Sequence, residues 1–301
     1  HCMMRRCCGG TYMQTESKYF TLNNGMKMPC LGLGVFRNKD PKECENSIIC
    51  AIENGYRMID TAAVYGNEQA VGNAVKHCGI PREELFITTK LWYADCSRDL
   101  AKRALDRSLK KLGLGYVDLY LVHEPYGWLK SAWRGLEESV ADGKVRAIGV
   151  SNFGQRELEK LLGYAKIAPA VDQIELHPYF QRKELLAFLK ECGIQPEAWA
   201  PFAAGQSGLL RDPVIAGIAE KRGCSSAQTI LRWLHGRGAA VIPKSSDPKR
   251  VKENAEFLNA ALSDEDMRAI SSLDRGESLF PWDKGWRRPL RKTLGFFHIG
   301  I

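Results

Sequence analysis

From Leu31 to Pro243 the chain repeats one pattern: a short run rich in Val, Ile, Leu or Tyr, a polar turn, then a longer segment with apolar positions at helical spacing. The apolar runs are LGLGVF (31–36), YRMID (56–60), LFITT (85–89), YVDLYLV (116–122), VRAIGV (145–150), AVDQIE (170–175), QPEAWA (195–200) and AVIP (240–243). Eight short strands, each followed by a helix, predict an α/β fold of the (β/α)8 TIM-barrel type, and the last interval is long enough for two helices. Among the helical segments, SRDLAKRALDRSLKKLG offers Ser97 as a cap, Leu100, Ala104, Leu105, Leu109 and Leu112 as one stripe, and Gly113 as a stop. Before the first strand, YFTLNNGMKMPCL reads as an N-terminal β-hairpin around Asn-Asn-Gly, placed to close the barrel bottom. An open sheet with a dinucleotide-binding turn needs G-x-G-x-x-G after its first strand. Here Gly32 and Gly34 are followed by Arg37 where the third glycine belongs, and the fingerprint fails.

Composition narrows the class without changing the fold. With 301 residues, 45% hydrophobic and 26% charged, the chain can bury a sizeable core. No window reaches the roughly 18 apolar residues of a membrane helix, and HCMMRRCCGGTYM lacks a signal peptide's apolar core. A cytoplasmic protein with no membrane partner is expected. The ten cysteines contain no CxxC and the six histidines no HxxxH, so reduced thiols and no metal site are expected. The formal charge of +8 raises the question of nucleic acid, but six of those charges sit at the ends. Arg5 and Arg6 supply two; Lys284, Arg287, Arg288, Arg291 and Lys292, against Asp283, supply four. The nearly neutral middle argues against a nucleic-acid partner. The expected organisation is a disordered or non-native leader over 1–17, a barrel over 18–279, and a basic, aromatic tail over 280–301 placed as a pocket lid.

In such a barrel the chemistry lies at the C-terminal strand ends. Those ends present Asp60 with Tyr65 on its loop, Lys90 and Trp92, His123, Ser151 and Asn152, Gln173 and Glu175, Trp199, and the segment PKSSDPKRVKEN. Singly, each has a plain structural explanation: Asp60 forms a turn, Lys90 is a solvated charge, His123 is a hydrogen-bonded structural histidine. Together, Asp60, Tyr65, Lys90 and His123 converge on one mouth as a proton-donating site. A tyrosine titrates near 10, too high for an efficient acid at neutral pH. An ammonium about 4 Å away, at an effective dielectric near 20, favours the phenolate by roughly 4 kcal/mol. That is about three pKa units before desolvation and the lysine's other partners are subtracted. Buried Lys90 needs a counter-charge, which Asp60 can supply, and His123 can orient an oxygen beside the phenol. A proton donor with no nucleophile, metal cluster or acid pair points to carbonyl reduction, with the hydride brought by a cofactor.

The segments GYRMIDTAAVYGNE, FITTKLW, LYLVHEP, IGVSNF, VDQIELHPY and VIPKSSDPKRVKEN together resemble the aldo-keto reductases, from about residue 18 to residue 279. PEAWAPF and the short segment after His123 are similar to the 2,5-diketo-D-gluconate reductase and protozoan prostaglandin F synthase types within that family. The resemblance implies NADPH-dependent reduction of aldehydes and ketones, including dicarbonyls, keto sugars or prostaglandin H2-type substrates, by a monomer. It implies Tyr65 as general acid, tuned by Lys90 and Asp60, with His123 orienting the carbonyl. Ser151, Asn152 and Gln173 then hold the nicotinamide carboxamide and Trp199 stacks on its ring. Lys244, Ser245 and Arg250 match the 2′-phosphate site, Glu253 and Asn254 the adenine contacts, Phe36 and Trp92 the substrate pocket. Departures from the common pattern are Asp247, expected to cap the following helix, Glu124 after the histidine, and the tail from LFPWDKGW onward. The alternative reading is a binding or regulatory protein on the same barrel with little turnover.

Overall fold

The computed structural model describes residues 17–280 apart from Gln206. Strands β1 (Tyr19–Thr21) and β2 (Lys27–Pro29) form the N-terminal antiparallel hairpin. The chain then alternates through β3 (Gly32–Gly34), α1 (Pro41–Glu53), β4 (Met58–Asp60), α2 (Glu68–His77), β5 (Phe86–Leu91), α3 (Arg98–Leu112), β6 (Val117–Val122) and α4 (Leu129–Ala141). It continues with β7 (Val145–Ser151), α5 (Gln155–Leu162), β8 (Val171–Glu175), α6 (Lys183–Glu191), β9 (Gln195–Trp199), α7 (Pro213–Arg222), α8 (Ser226–Gly236), β10 (Ala240–Val241), α9 (Pro248–Ala255) and α10 (Asp264–Ser271). Each strand from β3 to β10 pairs in parallel with the next. A parallel bridge between Leu31 and Val241 closes the ring. The eight strands are the predicted eight, and α7 and α8 fill the long interval.

The first and last strands are shorter than their apolar runs. At the seam Gly34 N–H donates to the Pro243 carbonyl at 3.2 Å, but proline has no N–H to return, so the ladder stops there. Helix α3 also departs from expectation. Leu100 is exposed while Ala101 and Ser108 join Ala104, Leu105, Leu109 and Leu112 in the buried face. The Ser97 side chain makes no capping bond; instead Ser131 Oγ, from α4, accepts the Arg98 N–H at 3.1 Å, which turns the first helical turn toward α4. Gly113 ends the helix as predicted, at φ 65°.

Side chains alternate along each strand, so one set fills the barrel and the other meets the helices. The lower interior is apolar: Met58, Phe86, Leu119, Ala147, Val171 and Ala240, plugged from below by Leu22 and Met28 of the hairpin region. Two to four residues further along β4, β5, β7 and β8 the interior becomes polar, with Asp60, Thr88, Lys90, Ser151 and Gln173 all buried, joined by buried Glu197 of β9. The site is built on this upper layer. No described helix is long and apolar enough to cross a membrane. The expectations for the leader and the tail lie outside the described residues, except at their edges. The Ser17 carbonyl is 3.0 Å from the His235 ring, and Ser278, Leu279 and Phe280 reach the barrel mouth.

Candidate active site

Tyr65 is aimed by its loop. After Asp60 the chain makes a single 3-10 turn over Ala63–Tyr65, closed by Gly66 at φ 73°, a conformation that favours glycine. Buried Asn67 fastens this loop: its oxygen accepts from Thr61 Oγ1 at 2.7 Å, and its nitrogen donates to the carbonyls of Val35 at 2.9 Å and Asn38 at 3.2 Å. Below the phenol, fully buried Lys90 directs its ammonium at Asp60 Oδ1 (2.5 Å), the Thr61 carbonyl (2.9 Å) and the Tyr65 hydroxyl (3.5 Å). The first two contacts are short and the third is long, so the charge is held chiefly by the carboxylate and carbonyl.

This geometry revises the expected acidity of the phenol. Desolvation raises the Tyr65 pKa, Lys90 lowers it, Asp60 raises it again, and the net result lies above the ordinary tyrosine value. Asp60, 2.5 Å from the ammonium, cancels much of the field that would otherwise favour a phenolate. Lys90 itself loses to burial but gains more from Asp60, Tyr65 and Glu197, and its pKa is raised. The site at rest therefore holds a protonated phenol over a charged lysine.

His123 follows β6, with its ring centroid 5.7 Å from that of Tyr65. Phe36 lies 5.0 Å from Tyr65 and Trp92 5.3 Å from His123, so the two expected pocket aromatics flank the phenol–imidazole pair. Next along the rim, Asn152 has φ 62° and donates to the His123 carbonyl and to Glu124 Oε1, each at 3.3 Å. Its oxygen accepts from the Trp199 indole at 2.8 Å. Glu124 thus fastens Asn152, a role its sequence position did not reveal. Ser151 Oγ donates to the Gln173 backbone carbonyl at 3.0 Å, leaving its lone pairs for a ligand.

Gln173 joins the two halves of the polar layer. Its side-chain nitrogen donates to Asp60 Oδ2 at 2.8 Å and to Glu197 Oε2 at 2.7 Å, which uses both N–H bonds and leaves the amide carbonyl to meet a ligand. Glu197 was missed in the sequence. Its signal was a carboxylate two residues before Trp199 in an apolar strand, a spacing that puts both on the barrel's inner face. Glu175 fastens the chain's last described segment: it accepts from Ser278 Oγ and, at 3.0 Å, from the Leu279 N–H. Phe280 then packs on Trp199 at 5.1 Å between ring centroids.

At the far end of the strand row, Lys244 and Arg250 are exposed beside the N-terminus of α9, while Asn254 is buried and Glu253 half-buried on it. Ser245 Oγ accepts the Asp247 N–H at 3.2 Å. Asp247 caps α9 as expected, with Oδ1 accepting the Lys249 N–H at 2.9 Å, but its other oxygen stands 3.6 Å from Arg250 Nε. The mouth thus offers a carbonyl, an amide and an indole on one flank, and two cations with a helix N-terminus on the other. That donor set fits an extended dinucleotide with a neutral carboxamide at one end and a phosphate at the other.

A model of the Aldo/keto reductase family matches residues 30–275. The chain is 48% identical over 261 residues to a glyoxal reductase of Bacillus subtilis, covering 86% of this chain and 94% of that relative. It is 43% identical over 262 residues to a 9,11-endoperoxide prostaglandin H2 reductase of Trypanosoma cruzi, covering 86% and 92%. Among solved structures it superposes on an aldo-keto reductase of Bombyx mori in complex with NADP with a TM-score of 0.83, at 34% identity over 88% of this chain and 96% of that one. With the barrel, the strand-end layer and these likenesses together, the chain belongs to the aldo/keto reductase family and is an NADP(H)-dependent oxidoreductase that reduces carbonyl groups.

Proposed function

We propose that this protein reduces small aldehydes, ketones and dicarbonyls, with Tyr65 as general acid and Asp60, Lys90 and His123 completing the site. The observation that carries the reading is the Lys90 ammonium, paired with Asp60 at 2.5 Å and facing the Tyr65 hydroxyl at 3.5 Å. As the phenol releases its proton to a carbonyl oxygen, the developing negative charge meets an ammonium already in place. Such an interaction strengthens only along the reaction and so lowers the barrier. His123 steers the oxygen toward the phenol, and Phe36 and Trp92 bound the space for the substituents. Bound NADPH supplies the hydride. Ser151, Asn152, Gln173 and Trp199 are the proposed nicotinamide contacts. Lys244, Ser245 and Arg250 are proposed for the 2′-phosphate, and Glu253 and Asn254 for adenine. A glyoxal reductase among the relatives favours dicarbonyls as the first substrates to try; keto sugars and prostaglandin H2-type compounds follow. The catalytic unit is proposed to be residues 18–279, working as a cytoplasmic monomer, which light scattering after size exclusion tests.

The deciding experiment mixes the purified protein with NADPH and methylglyoxal, 4-nitrobenzaldehyde or phenanthrenequinone and follows absorbance at 340 nm. Oxidation of NADPH with at least one of them is expected. If NADPH binds yet none is reduced, the protein is a binding protein on the same barrel and the catalytic reading fails.

A further inference from the structure

Glu197 is a buried carboxyl that the proposed proton path does not use. It points into the barrel from β9, in register with Gln173 of β8 on one side and Ala240 of β10 on the other. The charged groups facing it are Asp60 from β4 and Lys90 from β5, and those two already satisfy one another at 2.5 Å. Its Oε1 has no hydrogen-bond partner among the described residues. Its one directed contact is the 2.7 Å bond from Gln173. A buried carboxyl is costly unless a hydrogen bond repays the lost hydration, so that contact is where its purpose lies.

We infer that Glu197 is a positioning residue, which by accepting the second N–H of Gln173 locks the plane of the amide on which the nicotinamide carboxamide rests. This rests on the proposed carboxamide role of Gln173. The NH2 group of an amide has two hydrogens in a fixed plane. Asp60 takes one at 2.8 Å and Glu197 the other at 2.7 Å, so the group can neither pivot nor exchange its nitrogen for its oxygen. The carbonyl is left facing the strand ends, able to accept only from the carboxamide NH2. With Asp60 alone the amide swings about a single bond, and the carboxamide it holds loses its defined rotation. Burial, with Asp60 nearby, lifts the Glu197 pKa to about 8. The group is thus mostly a neutral acid at pH 7, which allows a second carboxyl beside Asp60 without disrupting the Lys90 pair.

The test compares Glu197→Leu with Glu197→Gln in the full chain, using methylglyoxal and NADPH carrying deuterium at one or the other C4 position. Glu197→Leu should raise the KM for NADPH roughly tenfold, the scale expected for losing one buried hydrogen bond, and should let label transfer from both faces. Glu197→Gln keeps an acceptor oxygen for Gln173 and should recover most of the affinity and single-face transfer. A role in packing alone predicts lower melting temperature with face selectivity intact. Glu197→Met and Glu197→Ala carry the same expectation as Leu and keep the test alive if Leu does not fold. Gln173→Leu separates the two levels. If it leaves NADPH binding and selectivity unchanged, the carboxamide reading of Gln173 falls. If it weakens both while the apolar Glu197 variants change neither, the inference about Glu197 is overturned and the reading of Gln173 stands.

Discussion

Among the described residues, replacing Lys90 by Met removes the only ammonium in the upper barrel layer and leaves Asp60, whose side chain is 3% exposed, with Gln173 as its remaining side-chain donor. At 2.5 Å and an effective dielectric near 20 the gross attraction in the pair is about 7 kcal/mol. Desolvation of two buried ions offsets most of it, so the pair contributes little net stability while either half alone is expensive. Lys90→Met and Asp60→Asn should each cost about 3–5 kcal/mol, a fall of roughly 6–20 °C in melting temperature. The double variant should regain most of that. Activity should not follow. A phenolate 3.5 Å from the ammonium gains about 5 kcal/mol at the same dielectric, or between three and four orders of magnitude in rate, roughly. The double variant should therefore be stable and nearly inactive. Thermal melts of the four proteins, with turnover at 340 nm, decide it. Additive stability losses would contradict a mutually compensating pair, and turnover that recovers with stability would remove Lys90 from the chemistry.

Two further expectations concern carboxylates elsewhere. Asp172, on the outer face of β8, is fully buried without a partner in hydrogen-bonding geometry for either oxygen among the described residues. Burial raises its pKa well above the carboxylate range, against weaker opposing pulls from Arg182 and the Phe153 N–H. A raised folded pKa means the unfolded chain ionises first, so stability falls as pH climbs from about 4, the unfolded value. Asp172→Asn should raise the melting temperature by about 2–4 °C or more at pH 7 and change it little near pH 4; an equal gain at both would refute the ionisation argument. Asp247→Asn retains a capping oxygen for α9 but removes the charge facing Arg250, and should lower the KM for NADPH about twofold to fivefold, the range of an exposed ion pair, leaving NADH unchanged. Equal effects on both cofactors would place Asp247 outside the phosphate site.

Most of the fold was legible because a barrel repeats one local rule: apolar runs of strand length, separated by helical periodicity. The seam was less legible, since β3 and β10 stop where Pro243 lacks an N–H, a consequence of which strand lies beside it. The start of α3 falls at Ser97 as expected, but the side chain that accepts a first-turn N–H is that of Ser131, 33 residues away from the Arg98 it serves, which local sequence could not show. Within the site, residues at strand ends could be named from spacing alone. Their coupling could not: Gln173 reaches Asp60 across 113 residues of chain, and the net effect on Tyr65 depended on how closely Asp60 approaches Lys90. Glu197 passed unremarked within the strand run QPEAWA, because its partner Gln173 comes from the neighbouring strand β8, 24 residues away.

The central claim, that Tyr65 delivers the proton, is tested most directly by Tyr65→Phe, which removes one oxygen from a ring held by Phe36 and the Asn67-fastened loop. Steady-state reduction of methylglyoxal should fall by roughly two to four orders of magnitude, while quenching of protein fluorescence by NADPH stays within about twofold of the unaltered chain, since no proposed cofactor contact passes through that oxygen. Turnover retained within a few-fold would contradict the assignment.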